Sequence, residues 1–324
     1  MEKNNEIKIS IAMCTYNGER FIKEQLDSIL NQSYKNLEII ITDDKSTDKT
    51  IDIIKKYQLA DDRIKLYQNE KNLGFVKNFE KAISLCSGNY IALSDQDDIW
   101  KNNKIEVFLE KIKNNLLIYS DAELIDEFSN KSNKQLIRPH INLVSGKCNK
   151  AFLFYNCASG NTMMFKKELV KYILPIPKEF SFHDIWIAFI ASTLGTITYT
   201  EESMTYYRRY NEQVTRTVEK DYQSFRDRFN QKTMNKLKMI QQRKIDFELL
   251  IQLDFLDLEV KKIIEVLIQH FIKYEQGYFN KNLFMILDEY KDELFAIKNE
   301  RKRKKYVTRE SMKLKLQKIL LFSY

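Results

Sequence analysis

Residues 7–120 alternate short β-branched runs with amphipathic stretches, and no other feature constrains the possible fold as tightly. The run Ile9-Ser10-Ile11-Ala12-Met13 suits a strand buried on both faces. After it, Phe21, Ile22, Leu26, Ile29 and Leu30 recur at the three-to-four spacing of one helix face. Repetition of that unit predicts βαβ crossovers and a mostly parallel sheet. A second buried strand is expected over 37–41, followed by the capping cluster Ser46-Thr47-Asp48 and a helix over 50–57. Residues 63–67 alternate as a third strand and 76–85 as a helix, and Tyr90-Ile91-Ala92-Leu93 runs directly into Ser94-Asp95-Gln96-Asp97-Asp98. From 117 to about 210 the pattern predicts short strands, polar loops and a helix around 186–192. Beyond about residue 219, apolar residues at intervals of three and four predict helices. The expected organisation is an α/β domain over 1–218 and a helical region over 219–324.

Composition excludes several classes. The chain has 324 residues, 44% of them hydrophobic, with only 7 Gly and 3 Pro. That is enough apolar surface for a real core and too little Gly or Pro for collagen, low-complexity or linker-rich chains. The four cysteines (Cys14, Cys86, Cys148 and Cys157) form no C-x-x-C pair, as expected for reduced thiols in a cytosolic protein. The polar stretch 2–8 does not read as a secretory signal, and no run of about 18 apolar residues offers a spanning helix. The formal charge of +8 lies wholly in residues 301–324, which hold nine Lys or Arg and one acid, Glu310. The body is neutral, which argues against nucleic acid as a partner.

The chemistry concentrates at strand ends. Asp95, Asp97 and Asp98 crowd three carboxylates into four residues at the carboxyl end of a buried strand, where open α/β sheets place their ligand crevice. Burying that charge is costly unless a cation neutralises it. Mg²⁺ or Mn²⁺, keeping waters and a substrate diphosphate in its shell, is the expected cofactor. Asp43-Asp44 closes the second strand on the same edge, and the first strand ends there in Cys14-Thr15-Tyr16-Asn17-Gly18-Glu19. That segment lacks both G-x-G-x-x-G and G-x-x-x-x-G-K-[ST]. The three ends together predict a nucleotide-diphosphate site without a Gly-rich loop.

The ordered segments Ser10-Ile11-Ala12-Met13-Cys14-Thr15-Tyr16-Asn17-Gly18, Ser28-Ile29-Leu30-Asn31-Gln32-Ser33-Tyr34, Ile41-Thr42-Asp43-Asp44-Lys45-Ser46-Thr47-Asp48-Lys49-Thr50, Asn72-Leu73-Gly74 and Asp95-Gln96-Asp97-Asp98-Ile99-Trp100 resemble the family-2 inverting glycosyltransferases of GT-A fold. The resemblance covers residues 7 to about 215, and its Asp-Gln-Asp-Asp-x-Trp version is similar to bacterial rhamnosyltransferase-like enzymes of cell-surface polysaccharides. It implies a Rossmann-like, mostly parallel sheet with flanking helices, divided into a nucleotide-binding half (about 7–120) and an acceptor-binding half (about 121–218). It also implies transfer from a UDP- or dTDP-sugar to a saccharide or lipid-linked saccharide. By the same resemblance Thr15, Tyr16 and Asn17 line the nucleotide, with Tyr16 stacking on the base. Asp43 would accept from the base edge, Asp44 would lie near the ribose and Asp95 near the ribose or sugar. Asp97 and Asp98 would be the D-x-D metal carboxylates.

Further on, Asn156-Cys157-Ala158-Ser159-Gly160-Asn161-Thr162 is a small-residue stretch that would let backbone approach a sugar, with Gly160 at the donor-sugar and acceptor pocket. In Phe182-His183-Asp184-Ile185-Trp186, Asp184 matches the family's general base and His183 could serve metal or diphosphate. Trp186, His140 and His270 read as packing, loop and helix-face residues. Arg208 falls on the Arg of the family's Tyr-Arg-x-His and would hold the diphosphate, whereas Tyr210 replaces the His. A sugar-nucleotide nucleotidyltransferase and a non-catalytic membrane-associated scaffold with a sugar-nucleotide pocket are the alternatives. The former usually needs a Gly-rich basic loop that Thr15-Tyr16-Asn17-Gly18 does not provide. Finally, cations interleaved with Met312, Leu314, Leu316 and the run 319–322 predict a basic amphipathic tail. It would make peripheral contact with an anionic membrane and place the protein at the cytoplasmic face of the cell membrane.

Overall fold

The computed structural model describes residues 7–211 and 225–313. Strands β1 (Ile9–Thr15), β2 (Leu37–Asp43), β3 (Ile64–Gln68) and β4 (Tyr90–Ser94) lie parallel in the order β3-β2-β1-β4. The crossovers between them are helices α1 (Ile22–Leu30), α2 (Thr50–Ala60) and α3 (Phe75–Leu85), and α4 (Lys104–Ile112) follows the short strand β5 (Ile99–Trp100). The two-residue period of the strands divides the core. Ile9, Ile11, Met13, Ile39 and Ile41 pack with residues of α1, α2 and α4, whereas Ala12, Cys14 and Ile40 point to the opposite face, against α3. With helices on both faces, all seven residues of β1 and of β2 are buried, as a parallel sheet requires.

Beyond β4 the sheet changes direction. β6 (Leu117–Ile125) carries the hairpin strand β7 (Lys131–Gln135). β8 (Met163–Lys166) runs antiparallel to both β4 and β6. β9 (Ile197–Arg208) lies parallel to β6 and antiparallel to β5 at the edge. The helical turns α5 (Asn149–Phe152) and α6 (Val170–Ile173) and the apolar helix α7 (His183–Leu194) cover this half.

The helices α8 (Phe225–Leu250), α9 (Leu258–Ile272), α10 (Lys281–Glu289), α11 (Lys291–Leu294) and α12 (Glu300–Ser311) complete the described chain. Asp257, Asn280 and Asn299 cap α9, α10 and α12 through their side chains. These helices share a core with the sheet. Phe247, Ile263, Leu287, Phe295 and Val307 belong to the same buried cluster as Phe79, Phe165 and Phe189. Backbone links seal the join, since the N–H of Asn142 donates to O of Ala296 at 2.7 Å and that of Lys298 to O of His140 at 3.0 Å. The basic tail is therefore partly a packed element. Val307 and Ser311 of α12 are fully buried while Arg301, Lys302, Lys304 and Lys305 face outward. The apolar run 314–322 lies outside the described residues. Among the described residues no helix is long and apolar enough to cross a membrane.

Candidate functional site

The carboxyl ends of β1, β2 and β4 align, with Thr15 opposite Asp43 and Met13 opposite Ser94. Tyr16 stands at this edge with 48% of its surface exposed. Its backbone is clasped by Gln96, whose Oε1 accepts from the Tyr16 N–H at 2.8 Å and whose Nε2 donates to the Tyr16 carbonyl at 3.0 Å. The clasp requires Gly18, where a Cβ would lie 2.3 Å from Gln96 Oε1. Asn17, at φ +48°, accepts from the Thr47 N–H at 2.8 Å and donates its own N–H to Ser46 Oγ at 2.8 Å. It organises the loop and leaves the Tyr16 ring as the exposed face.

Five residues expected at the ligand are buried and engaged by the protein itself. Asp43 is fully buried; it accepts from Thr15 Oγ1 at 2.8 Å and from the N–H and Oγ of Ser46. Asp44 is buried as well and accepts from Asn69 Nδ2 at 2.9 Å and from the N–H groups of Leu73 and Gly74 at 2.7 and 2.9 Å. Both carboxylates hold the neighbouring loops, and the Thr15 hydroxyl is turned toward Asp43. Arg208, expected at the diphosphate, has no exposed surface. Its guanidinium donates to O of Asp97 at 2.8 Å, to Ser129 Oγ at 2.9 Å and to Glu24 Oε2 at 2.8 Å, and lies 4.5 Å over the Phe21 ring. Asp98, expected as a metal ligand, is buried with both oxygens engaged. Oδ1 accepts from the Arg208 N–H at 3.0 Å and Oδ2 from Asn161 Nδ2. A short acidic sequence does not reveal which of its carboxylates turns inward; that is set by β9 crossing behind the turn.

Asp95 and Asp97 remain as the crevice carboxylates. Burial, reinforced by the charges of Asp98, Asp97 and Asp184, pushes the Asp95 carboxyl well above its usual range. Asp98 is raised to about 7 by burial and by Asp97. Tyr210 donates its hydroxyl to Asp97 Oδ2 at 2.6 Å, so the residue standing in for the family's His orients a carboxylate. Two residues were missed by sequence reasoning. Lys104, fully buried, donates through Nζ to O of Asn161 at 2.6 Å and to Thr205 Oγ1 at 3.1 Å, and lies 3.7 Å over the Trp100 ring. Its signal was a lysine on the apolar face of α4, four residues before Phe108 and eight before Ile112. Asn161, within the small-residue stretch, joins that lysine to Asp98.

Asp184 sits in the first turn of α7, 8% exposed. Its Oδ2 accepts from Asn156 Nδ2 at 2.9 Å and from the Gly160 N–H at 3.2 Å, and its Oδ1 from the Ile185 N–H at 2.7 Å. It lines a cavity of about 430 Å³ that also takes in Arg138, His140 and Tyr306. His140, read as an unsupported loop residue, is thus placed beside the candidate base. His183 stacks on Phe79 at 4.0 Å between ring centroids, and burial lowers its imidazole to about 4. Both its ring nitrogens are buried without a hydrogen-bond partner. A Cβ on Gly160 would lie 2.9 Å from its Nε2, so glycine is needed where the stretch passes the ring.

Among the described residues no three His, Cys, Asp or Glu side chains are placed to hold a metal ion by themselves. The donor set nevertheless fits a hard divalent cation that takes one or two carboxylates and completes its shell with waters and substrate phosphates. The mutual repulsion around Asp95 would be relieved by such a cation, and the orphaned nitrogens of His183 await a partner.

A twisted, mostly parallel sheet with its acidic crevice at the strand ends defines the GT-A class of fold. The chain belongs to glycosyl transferase family 2, whose family model matches residues 10–173, just over half of its length. An uncharacterized glycosyltransferase of Haemophilus influenzae is 32% identical over 217 residues, 63% of this chain and 66% of its own. The Escherichia coli UDP-Glc:alpha-D-GlcNAc-diphosphoundecaprenol beta-1,3-glucosyltransferase WfgD is 38% identical over 123 residues, 37% of this chain and 48% of its own. The matches thus span less than two thirds of these relatives. Among solved structures, S. aureus TarS in complex with UDP-GlcNAc is similar at a TM-score of 0.59 and 17% identity, covering 94% of this chain and 88% of that one. The Pyrobaculum calidifontis mannosyltransferase PcManGT in complex with GDP-Man and Mn2+ gives 0.56 and 13%, covering 98% and 79%. At these identities the likeness speaks for the fold.

Proposed function

We propose that the protein transfers a sugar, with inversion, from a UDP- or dTDP-sugar to a saccharide or lipid-linked saccharide in the assembly of a bacterial surface polysaccharide. One observation carries this reading: Asp184, oriented by Asn156 and Gly160, lies on the wall of a saccharide-sized cavity and within electrostatic reach of the acidic crevice. Donor and acceptor would thus meet on either side of one carboxylate. The names of WfgD and TarS-UDP-GlcNAc support a nucleotide-sugar donor, and that of WfgD a lipid-linked acceptor.

In this reading the exposed Tyr16 ring stacks on the base, and Asp95 faces the ribose or sugar. Asp97, with His183 beside the crevice, would hold Mg²⁺ or Mn²⁺, which supplies charge stabilisation for the departing diphosphate. The Asp184 carboxylate, on the cavity wall, takes the proton of the acceptor hydroxyl as that oxygen attacks the anomeric carbon opposite the leaving nucleotide. Asn156 and the Gly160 amide hold Oδ2, so the attacking geometry is set before the acceptor arrives. Arg208 and Asp98 keep the acidic turn in shape from behind. The basic tail would rest on the anionic inner leaflet, near a lipid-linked acceptor.

The test is a panel of UDP- and dTDP-hexoses and dTDP-rhamnose, assayed for metal-dependent hydrolysis and for the anomeric configuration of the product on a saccharide acceptor. Release of nucleoside diphosphate with an inverted product supports the reading. Synthesis of a sugar nucleotide from sugar phosphate and nucleoside triphosphate would replace it with a nucleotidyltransferase. Sugar-nucleotide binding without hydrolysis or transfer would leave the scaffold alternative.

A further inference from the structure

We infer that the acceptor seated beside Asp184 is an anionic saccharide, its phosphate or carboxylate group held by Arg138 and Arg209. This rests on the transfer reading above and names the substrate class of its acceptor side. Separate parts of the chain meet at the cavity: α7 brings Asp184, the loop after β7 brings Arg138, the end of β9 brings Arg209, and α12 brings Tyr306. Two arginines and a single carboxylate, Asp184, thus line the same cavity.

Neither arginine is spent elsewhere. Among the described residues, Arg20, Arg63, Arg208 and Arg243 each pair with a carboxylate, whereas Arg138 and Arg209 pair with none and donate no side-chain hydrogen bond. Arg209 is half-buried and held in place by its stacking 4.8 Å over the Tyr207 ring. A guanidinium positioned by packing, with its donor fork unsatisfied, matches the planar bidentate geometry of phosphate and carboxylate. A neutral saccharide would gain no charge-assisted contact from Arg209 or from Arg138, which stands exposed at the rim.

The charge also answers a problem that an acidic acceptor would create. The base must stay ionised, so an anion brought next to Asp184 would be repelled unless positive charge in the same wall offsets it. The remainder of the wall suits a sugar. The rings of Tyr155 and Tyr306 stand 6.2 Å apart at 50° and offer aromatic surface on which a sugar can pack.

The experiment titrates the full-length protein, saturated with UDP to close the donor crevice, with glucose 1-phosphate, glucuronate and glucose by ligand-observed NMR. Both anionic sugars should bind at least about tenfold tighter than glucose, the effect of one charge-assisted contact. Arg138→Gln and Arg209→Gln should each erode that margin, and the double variant should abolish it while UDP affinity stays unchanged. Preference for glucose 1-phosphate assigns a phosphate-bearing acceptor, and preference for glucuronate a uronate-bearing one. Equal binding of all three sugars, or an anionic preference that survives in the double variant, overturns the inference. Failure of the wild-type protein to bind UDP would count against the donor reading instead; the sugar titration is then read in the same way without UDP.

Discussion

Asn156 Nδ2 donates to Oδ2 of Asp184 at 2.9 Å, across 28 residues of chain, and so orients the candidate base from a different segment. The contact separates two kinds of loss. Asp184→Asn should keep donor affinity near wild type while turnover falls by about 10²–10⁴-fold, the usual range for a general base. Asn156→Ala, which leaves the carboxylate but not its orientation, should lower turnover by a smaller factor and shift the pH–rate profile. Nucleotide titration alongside steady-state rates checks both, and lost donor binding with normal residual turnover in Asp184→Asn would remove the base assignment.

The acidic turn divides its labour between adjacent residues. Asp97→Asn should leave thermal stability near wild type and abolish stimulation by Mn²⁺ or Mg²⁺. Asp98→Ala strips the Arg208 N–H and Asn161 Nδ2 of their buried acceptor. Each orphaned donor costs about 1–3 kcal/mol, so this variant should melt several degrees lower whatever the metal. Thermal melts with and without chelator discriminate the two, and undiminished activity in excess chelator would remove the cation from the scheme.

The position of a C-terminal cut decides its effect. Ending the chain after Lys313 keeps α12 and should release the protein from anionic liposomes without lowering its melting temperature. Ending it before Glu300 removes Val307, fully buried, and the cavity residue Tyr306. A buried valine alone is worth about 1.5–3 kcal/mol, so the shorter chain should melt lower and lose acceptor binding. Deletion of residues 301–324 as a block would therefore not isolate membrane attachment. Liposome flotation and calorimetry of the two truncations measure the difference, and equal flotation by the 1–313 chain would remove 314–324 as the anchor.

Glu38 couples stability to pH. Burial alone would raise its carboxyl, but hydrogen bonds from Lys8, Ser10 and Ser87 outweigh that and lower it to about 2. A carboxyl depressed in the folded state contributes stability above its unfolded value, near 4.5, and that contribution fades as pH falls toward 2. Glu38→Gln should cost about 2–3 kcal/mol at neutral pH and flatten the acid limb between those values. Urea midpoints from pH 7 to 2 follow the prediction, which fails if wild type and variant lose stability in parallel.

Much of the fold was legible locally. The doubly buried strand runs 9–13 and 37–41 and the helical spacing of 22–30 reappear as β1, β2 and α1, because neighbouring residues decide those patterns. The position of the acidic crevice followed from the strand ends, with Tyr16, Asp95 and Asp97 at it, whereas Asp184 came from the family resemblance. Which carboxylates face ligand was not legible. Asp43, Asp44 and Asp98 differ from Asp95 and Asp97 only in what packs behind them: Ser46, the loop 69–74, and the β9 residue Arg208, which is 110 positions from Asp98. Lys104 drew no reading from the sequence, because Asn161 and Thr205, which close over it, come from distant segments. The cavity itself, drawing Arg138, Asp184, Arg209 and Tyr306 from four distant segments, exists only once the C-terminal helices share the core of the sheet. Sequence by itself determined the elements, the family and the edge where chemistry gathers, since short-range periodicity and residue type encode them. Tertiary structure alone decided which charged groups are neutralised inside the protein and which remain for a ligand, because a charge buried at a strand end must find partners wherever the fold happens to bring them.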